Sequence, residues 1–160
     1  MGELRGRLGK IVSGGQSGAD RAALDWAIRH GVPYGGWCPL GGLAEDLTEP
    51  PGLLADYPEL RETSRPDVDD RTTLNVRDSD GTLLVILPGT DPSGGTAFTR
   101  DEAVRLGRRH MLTDGGDPDV VRAWLASLPV GMTLNVAGPR ESKAPGIYLA
   151  VSALLDALDA

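Results

Sequence analysis

The 160-residue sequence contains one cysteine, Cys38, and two histidines, His30 and His110. A single cysteine excludes a disulfide within the chain and is typical of proteins in a reducing compartment. Neither histidine has the spacing to the other histidine or to Cys38 that a zinc site requires. The sequence therefore predicts a cytoplasmic protein that holds no metal ion of its own, with Cys38 in a structural role.

Long apolar runs and an excess of basic charge are also absent. No segment approaches the length of a membrane-spanning helix, and the N-terminal residues lack the apolar core of a signal peptide. The formal net charge is −7, whereas a surface that binds nucleic acid is basic. We therefore expect neither a membrane nor a nucleic-acid partner. The length and the hydrophobic content of 40% predict a single globular domain over residues 1–160.

Glycine, by contrast, accounts for 22 residues, and one cluster forms the loop Gly14-Gly15-Gln16-Ser17-Gly18. This loop follows a short apolar strand at residues 11–12 and precedes a helix predicted over residues 19–30. Apolar side chains on that helix recur at i, i+3, i+4, i+7 and i+8, the pattern of one buried face. Glycines allow close approach of the backbone, and a helix start offers unpaired N–H groups to an anion. The alternative is a tight turn whose glycines serve packing alone.

Strand and helix patterns alternate along the rest of the chain. They predict strands at residues 32–37, 82–87, 110–113 and 132–137, an edge strand at 60–63, and helices at 68–78, 97–106, 118–128 and 145–158. The apolar run at residues 82–87 is typical of a strand buried on both faces. Residues 40–65 follow no clear period, and so long a segment is usually functional or an insertion. The alternation indicates an α/β fold, a three-layer sandwich with a mainly parallel sheet.

Two further glycine-rich loops, PSGGT at residues 92–96 and AGPRES at residues 137–142, also follow strands and precede helices. In a parallel sheet such exits lie at the carboxyl edge, where ligands bind. We therefore predict that main-chain N–H groups, hydroxyls and one guanidinium bind a phosphate or similar oxyanion there. N-capping is the alternative role for the hydroxyls, and solvent exposure is the alternative for the arginine. The predicted ligand-binding residues are Gly14, Gly15, Gln16, Ser17, Gly18, Gly94, Gly95, Thr96, Thr99 and Arg140.

Other polar residues give weaker signals. Arg71 and Asn75 share one face of a predicted helix, which we interpret as solvated. Asp78 and Asp80 belong to a segment typical of a turn, and Glu45 lies in the irregular segment. None of these patterns predicts a metal site or a catalytic group. Trp26 and Trp124 fall on apolar helix faces and are expected in the core.

The chain resembles the molybdenum-cofactor carrier proteins of bacteria in several segments, which are IVSGGQSGADRAALDWA, GWCP, AED, RTTLNVRDSDGTLLV, SGGTAFT and LNVAGPRES. The resemblance runs in order from about residue 10 to the final helix. Those proteins are related to lysine-decarboxylase-like phosphoribohydrolases within a group of Rossmann-like domains that sense or process nucleotide derivatives. The resemblance implies a Rossmann-like fold and a homo-oligomer, either a dimer or a tetramer. It also implies that the glycine-rich loops bind molybdenum cofactor, another phosphorylated pterin or a nucleotide.

Two departures limit what the resemblance implies. The phosphoribohydrolases use a PGGxGTxxE motif with a catalytic glutamate, and Thr99 takes the place of that glutamate here. The carrier proteins usually have basic residues after Trp-Cys-Pro, whereas residues 40–43 are uncharged. We therefore expect a binding protein without catalysis. The alternatives are an enzyme that uses Asp20, Asp78 or Glu102 as general acid or base, and a sensor of nucleotide derivatives.

Overall fold

A computed structural model of the chain describes residues 2–160. In chain order its elements are α1 (Glu3–Arg7), β1 (Leu8–Val12), α2 (Ala19–Arg29), β2 (Tyr34–Gly35), β3 (Trp37–Cys38), α3 (Leu53–Asp56), β4 (Arg61–Glu62), α4 (Val68–Arg77), β5 (Gly81–Val85), α5 (Gly94–Arg105), β6 (Arg109–Thr113), α6 (Pro118–Ala126), β7 (Met132–Ala137) and α7 (Ile147–Asp159).

Five of the strands form a parallel sheet in the order β2-β1-β7-β5-β6. The five residues of β5 are all buried, as the apolar run predicted. Leu83 and Val85 pack with α2, α6 and α7 on one face of the sheet. Because side chains alternate along a strand, Leu84 lies on the opposite face, and α4 packs against α5. The structure confirms the Rossmann-like α/β fold with a parallel sheet.

Helix α2 shows how the sequence pattern determines this packing. Its alanines and Trp26 are buried in the core, and the Trp26 indole donates a hydrogen bond to Asp156 over 2.9 Å. Small side chains allow α2 to approach α7 closely. Ile28 is the exception, because it is 48% exposed and not part of the buried face.

The prediction of one strand over residues 32–37 is wrong, because these residues contribute to two different sheets. Tyr34 and Gly35 pair with β1, whereas Trp37 and Cys38 pair with β4 in a small second sheet. Gly36 separates the two with a φ of +116°, and a Cβ there would lie 2.7 Å from the Ser13 carbonyl oxygen. Strand β4 confirms the predicted edge strand near residues 60–63.

Two boundary errors matter for function. Helix α5 begins at Gly94, not at residue 97, so the glycines predicted to lie in a loop form the first turn of the helix. Strand β5 ends at Val85, and the next two residues, Ile86 and Leu87, line a cavity.

Cys38 is buried at the end of β3 and forms no disulfide. Its burial, together with the nearby Glu62 carboxylate, raises the pKa of the thiol to about 11. These properties agree with a structural role. Among the helices in residues 2–160, none combines the length and the apolar character that a membrane span requires.

Candidate functional site

The three glycine-rich loops meet at the carboxyl edge of β1, β7 and β5, which are neighbours in the sheet. They surround a cavity of about 480 Å³, a size typical of small-ligand sites. Of the predicted ligand-binding residues, the cavity is lined by Gly14, Gln16, Gly95, Thr96, Thr99 and Arg140. Gly15, Ser17, Gly18 and Gly94 do not line it. The predicted convergence of the loops is therefore present, although whether a ligand binds there stays a prediction.

Main-chain N–H groups of the first loop are largely occupied by acceptors of the protein itself. Gly15 donates to the Ser13 hydroxyl over 3.2 Å, and Gln16 donates to the Asp20 carboxylate over 3.3 Å. Ser17 donates to the side-chain oxygen of Gln16 over 3.0 Å. Only the N–H groups of Gly14 and Gly18 are left without an acceptor in the described chain, and of these two residues Gly14 alone lines the cavity.

Two glycines of the first loop are required by packing. Gly18 has a φ of +82°, and a Cβ there would lie 2.6 Å from the Pro139 carbonyl oxygen. A Cβ at Gly15 would lie 2.7 Å from the Leu53 side chain. Substitutions at either position would disturb the backbone or the core, and they are unsuitable as tests of binding.

A buried ion pair lies over the remaining glycine of the loop. Arg71 Nη1 is 3.0 Å from Asp20 Oδ2, and a Cβ on Gly14 would overlap this guanidinium. Burial raises the pKa of Asp20, and the positive charge of Arg71 opposes that shift. Arg71 and Asn75 both line the cavity, so the interpretation of their helix face as solvated is wrong. Asn75 is buried because its side-chain amide bonds to the Trp37 backbone.

The second loop leads directly into α5 and leaves its first N–H groups free. Within residues 2–160, neither Gly94 nor Gly95 donates a hydrogen bond to a protein acceptor. Ser93 makes no side-chain cap, and the first turn holds no acidic residue. Thr99, in contrast, donates its hydroxyl to the Gly95 carbonyl oxygen over 2.7 Å. The start of α5 is therefore open to an anion, whereas the Thr99 hydroxyl is already used as a donor.

Two cations at the end of the third loop line the cavity, Arg140 beside Glu45 and Lys143 beside the start of α5. Arg140 lines it and lies 3.4 Å from Glu45 through its Nε atom. Lys143 also lines it, and its Nζ lies 3.5 Å from where a Cβ of Gly94 would be. No acidic residue among residues 2–160 forms an ion pair with Lys143. The sequence interpretation missed this lysine, although it lies three residues after Arg140, directly after the glycine-rich loop.

The irregular segment, residues 40–65, attaches to one side of α2 and its preceding loop. Ser17, Arg21 and Asp25 are spaced by four residues and contact Glu45, Asp46 and Tyr57 in turn. The Glu45 carboxylate also accepts bonds from the Ser142 N–H and hydroxyl, and these serine contacts lower its pKa. None of residues 40–65, all of which the structure describes, lines the cavity. In this conformation the segment fastens two of the loops together and does not cover the cavity.

Comparisons with known proteins agree with this architecture. Residues 11–158 match the model of a family described as the circularly permutated YpsA SLOG family. The chain belongs to this family. It is also similar to a crystal structure of a "Putative molybdenum carrier protein" from Syntrophus aciditrophicus, with 40% identity, a TM-score of 0.86 and coverage of 96% of each chain. No curated protein is significantly similar in sequence. The resemblance to molybdenum-cofactor carrier proteins is thereby confirmed.

Of the three carboxylates named above as general acid or base in the enzyme alternative, only Asp20 lines the cavity. Asp78 instead bonds to Arg77 and to the Trp37 indole. Glu102 accepts bonds from Arg105 and Thr73, which lower its pKa to about 2. Neither Asp78 nor Glu102 is placed to act on a ligand in this cavity.

We predict that Tyr57→Phe loosens residues 40–65 from α2 in this SLOG domain. The Tyr57 hydroxyl donates to Asp25 over 2.5 Å, and a half-buried bond to a charged group contributes about 1.5–3 kcal/mol. Urea unfolding should show a loss of stability near the lower end of this range, because solvent weakens a half-buried hydrogen bond. Tyr34→Phe is the matched control, because that hydroxyl only accepts a long 3.4 Å bond from Glu59. Equal effects of the two substitutions would show that the Asp25 contact does not fasten the segment.

Proposed function

We propose that this protein binds a small phosphorylated ligand in the cavity, with the phosphate at the start of α5, and that it does so without catalysis. The single observation that carries the proposal is the pair of N–H groups at Gly94 and Gly95. Both lack acceptors in the described chain and stand at the positive end of the α5 dipole, and Gly95 lines the cavity. Thr96, Arg140 and Lys143 complete the proposed phosphate site.

The distribution of charge favours phosphate binding at the start of α5 over binding at the first loop. At the first loop, the positive charge of Arg71 is balanced by Asp20 at 3.0 Å. At the start of α5, Lys143 has no such partner in the part of the chain that the structure describes. The acidic residues at the rim, Asp69 and Asp91, are solvent-exposed and therefore screened. An acidic protein can thus present a local site for a phosphate.

The organic part of the ligand would be a pterin or a nucleotide. The related protein from Syntrophus aciditrophicus is called a molybdenum carrier, which favours molybdenum cofactor. Within residues 2–160, no three His, Cys, Asp or Glu side chains are grouped so that they could hold a metal ion. We therefore propose that molybdenum would travel as part of the bound cofactor, not on protein ligands. Mass spectrometry of whatever co-purifies with the protein would identify the ligand.

Catalysis is the second candidate function, and Asp20 is the residue that keeps it open. Its buried carboxylate lines the cavity and has a raised pKa, which is common among general acids and bases. Incubation with nucleoside monophosphates should nevertheless release no free base. Steady turnover that Asp20→Asn abolishes would make the protein a phosphoribohydrolase-like enzyme. A role as a sensor of nucleotide derivatives would use the same site.

The remaining proposals concern the state of the protein in the cell. We propose a cytoplasmic, single-domain protein that forms a homo-oligomer, either a dimer or a tetramer, and has no nucleic-acid or membrane partner. Light scattering of the purified protein would measure the oligomeric state.

Lys143→Gln should weaken the binding of inorganic phosphate by about tenfold, since one cation at the proposed site is lost. Isothermal titration calorimetry of the full chain measures this. Lys10→Gln is the matched control, because it changes the same charge on β1 outside the cavity lining. Equal phosphate affinity in the wild type and in Lys143→Gln would contradict the proposed site.

A further inference from the structure

The second end of the cavity, where Asp20 and Arg71 meet, has no role in the proposed phosphate site. Asp20 is 5% exposed and lines the cavity, and both hydrogen bonds of its carboxylate involve Oδ2. No donor among residues 2–160 reaches Oδ1. Oδ1 is not among the described side-chain atoms that are both shut off from solvent and unpartnered, so a ligand or water in the cavity can donate to it.

Arg71 likewise has one polar side-chain atom without a partner. Its Nε donates to the Val68 carbonyl oxygen over 3.1 Å and its Nη1 donates to Asp20 over 3.0 Å. Nη2 has no acceptor in the described part of the chain. The pair therefore retains one acceptor, Asp20 Oδ1, and one donor, Arg71 Nη2, on side chains that line the same cavity.

Stability alone gives little reason for this pair. Buried ion pairs can often be replaced by apolar residues without loss of stability, because desolvation offsets the attraction between the charges. The pair also requires glycine at position 14, where any Cβ would overlap the guanidinium. An unpartnered donor and an unpartnered acceptor, on two paired side chains that line a ligand-sized cavity, are instead suited to recognise a polar edge of a ligand.

We infer that Asp20 and Arg71 recognise a nitrogen heterocycle whose edge carries a hydrogen-bond donor next to an acceptor. Guanine, adenine and pterin rings have such edges. Asp20 Oδ1 accepts from the ring or exocyclic N–H, and Arg71 Nη2 donates to the neighbouring carbonyl oxygen or ring nitrogen. This inference rests on the proposed function, since the phosphate of the same ligand would bind at the start of α5.

The test compares the affinities of two matched pairs of nucleotides for the full-length protein by calorimetry. One pair is GMP and 1-methyl-GMP, in which a methyl group replaces the ring N–H. The other is AMP and purine riboside monophosphate, which lacks the amino group. In at least one pair the unmodified nucleotide should bind about tenfold tighter or more, because one partner of its hydrogen bond is charged. Equal affinities within both pairs would overturn the inference, and this comparison needs no variant.

Two variants then test which residue produces the preference for the unmodified nucleotide. Asp20→Asn should remove it, because an amide cannot replace the carboxylate opposite Arg71. Asp69→Asn changes the same charge at the rim of the same cavity and should keep the preference. If the nucleotide preference is lost equally in both variants, Asp20 is not the group that recognises the edge of the heterocycle. A titration with inorganic phosphate separates the two proposals. If phosphate binds but neither unmodified nucleotide is preferred, only this inference is contradicted. If phosphate does not bind, the phosphate site is contradicted.

Discussion

Gly95→Asp is expected to abolish phosphate binding while leaving the protein at least as stable as the wild type. Position 95 lies in the first turn of α5, and a Cβ there would meet no atom within 4 Å. The new carboxylate would sit beside the N–H groups that we assign to the phosphate. Like charges about 4 Å apart near a protein surface repel by roughly 4 kcal/mol, so affinity should fall by about a hundredfold or more.

The stability of this variant should move in the opposite direction. An acidic residue in the first turn of a helix interacts favourably with the helix dipole, by about 0.3–1 kcal/mol. Calorimetric titration and thermal unfolding of the same sample would measure both effects. Gly95→Ala is the control, since it adds a side chain without charge and keeps the N–H group, so phosphate should still bind. Retained phosphate affinity in Gly95→Asp would exclude the start of α5 as the site.

Arg71→Met is expected to cause the largest loss of stability. It leaves the Asp20 carboxylate buried without its cation, and removal of one partner from a buried pair costs about 3–5 kcal/mol. The loss should be greatest above neutral pH and should shrink as the solution becomes acidic. Burial already raises the pKa of Asp20, and loss of Arg71 raises it further.

The direction of this pH dependence follows from proton binding. The folded-state pKa of Asp20 would lie above the value of about 3.9 in the unfolded chain. A group with a raised folded pKa contributes its full stability below the unfolded value and loses it as pH rises through the folded value. Urea unfolding between pH 4 and pH 8 measures the effect. Arg77→Met on the same helix is the control, because its exposed pair with Asp78 should contribute less than about 1 kcal/mol.

A double variant tests why the pair is present. Combined Asp20→Asn and Arg71→Met removes both charges, so most of the stability lost in Arg71→Met should return. A double variant as unstable as Arg71→Met alone would show that the pair stabilises the fold. That result would remove one reason for assigning the pair to ligand recognition.

Much of the fold could be predicted because it depends on local patterns. The buried face of α2, the apolar run of β5 and the Asp117-Pro118 start of α6 are each encoded by neighbouring residues. The meeting of the three loops could also be predicted, since strands of a parallel sheet end at a common edge. Strand 32–37 failed because the close approach of Gly36 to Ser13 is a tertiary contact.

The N–H groups that remain free in each loop could not be predicted, because hydrogen-bond partners cannot be recognised from sequence. In the first loop, three of the five N–H groups bond to Ser13, Gln16 and Asp20. Arg71 reaches Asp20 across 51 residues, so no local pattern could link them. The predicted start of α5 lay three residues too late, so Gly94 and Gly95 were not recognised as the first residues of the helix.

We propose that main-chain N–H groups at the start of α5 hold the phosphate of the ligand. A titration of ¹⁵N-labelled protein with inorganic phosphate, followed through the amide resonances, would test this. The Gly94 and Gly95 resonances should shift most, with little change at Gly15, Gln16 and Ser17. Shifts concentrated in the first loop, or none at Gly94 and Gly95, would contradict it.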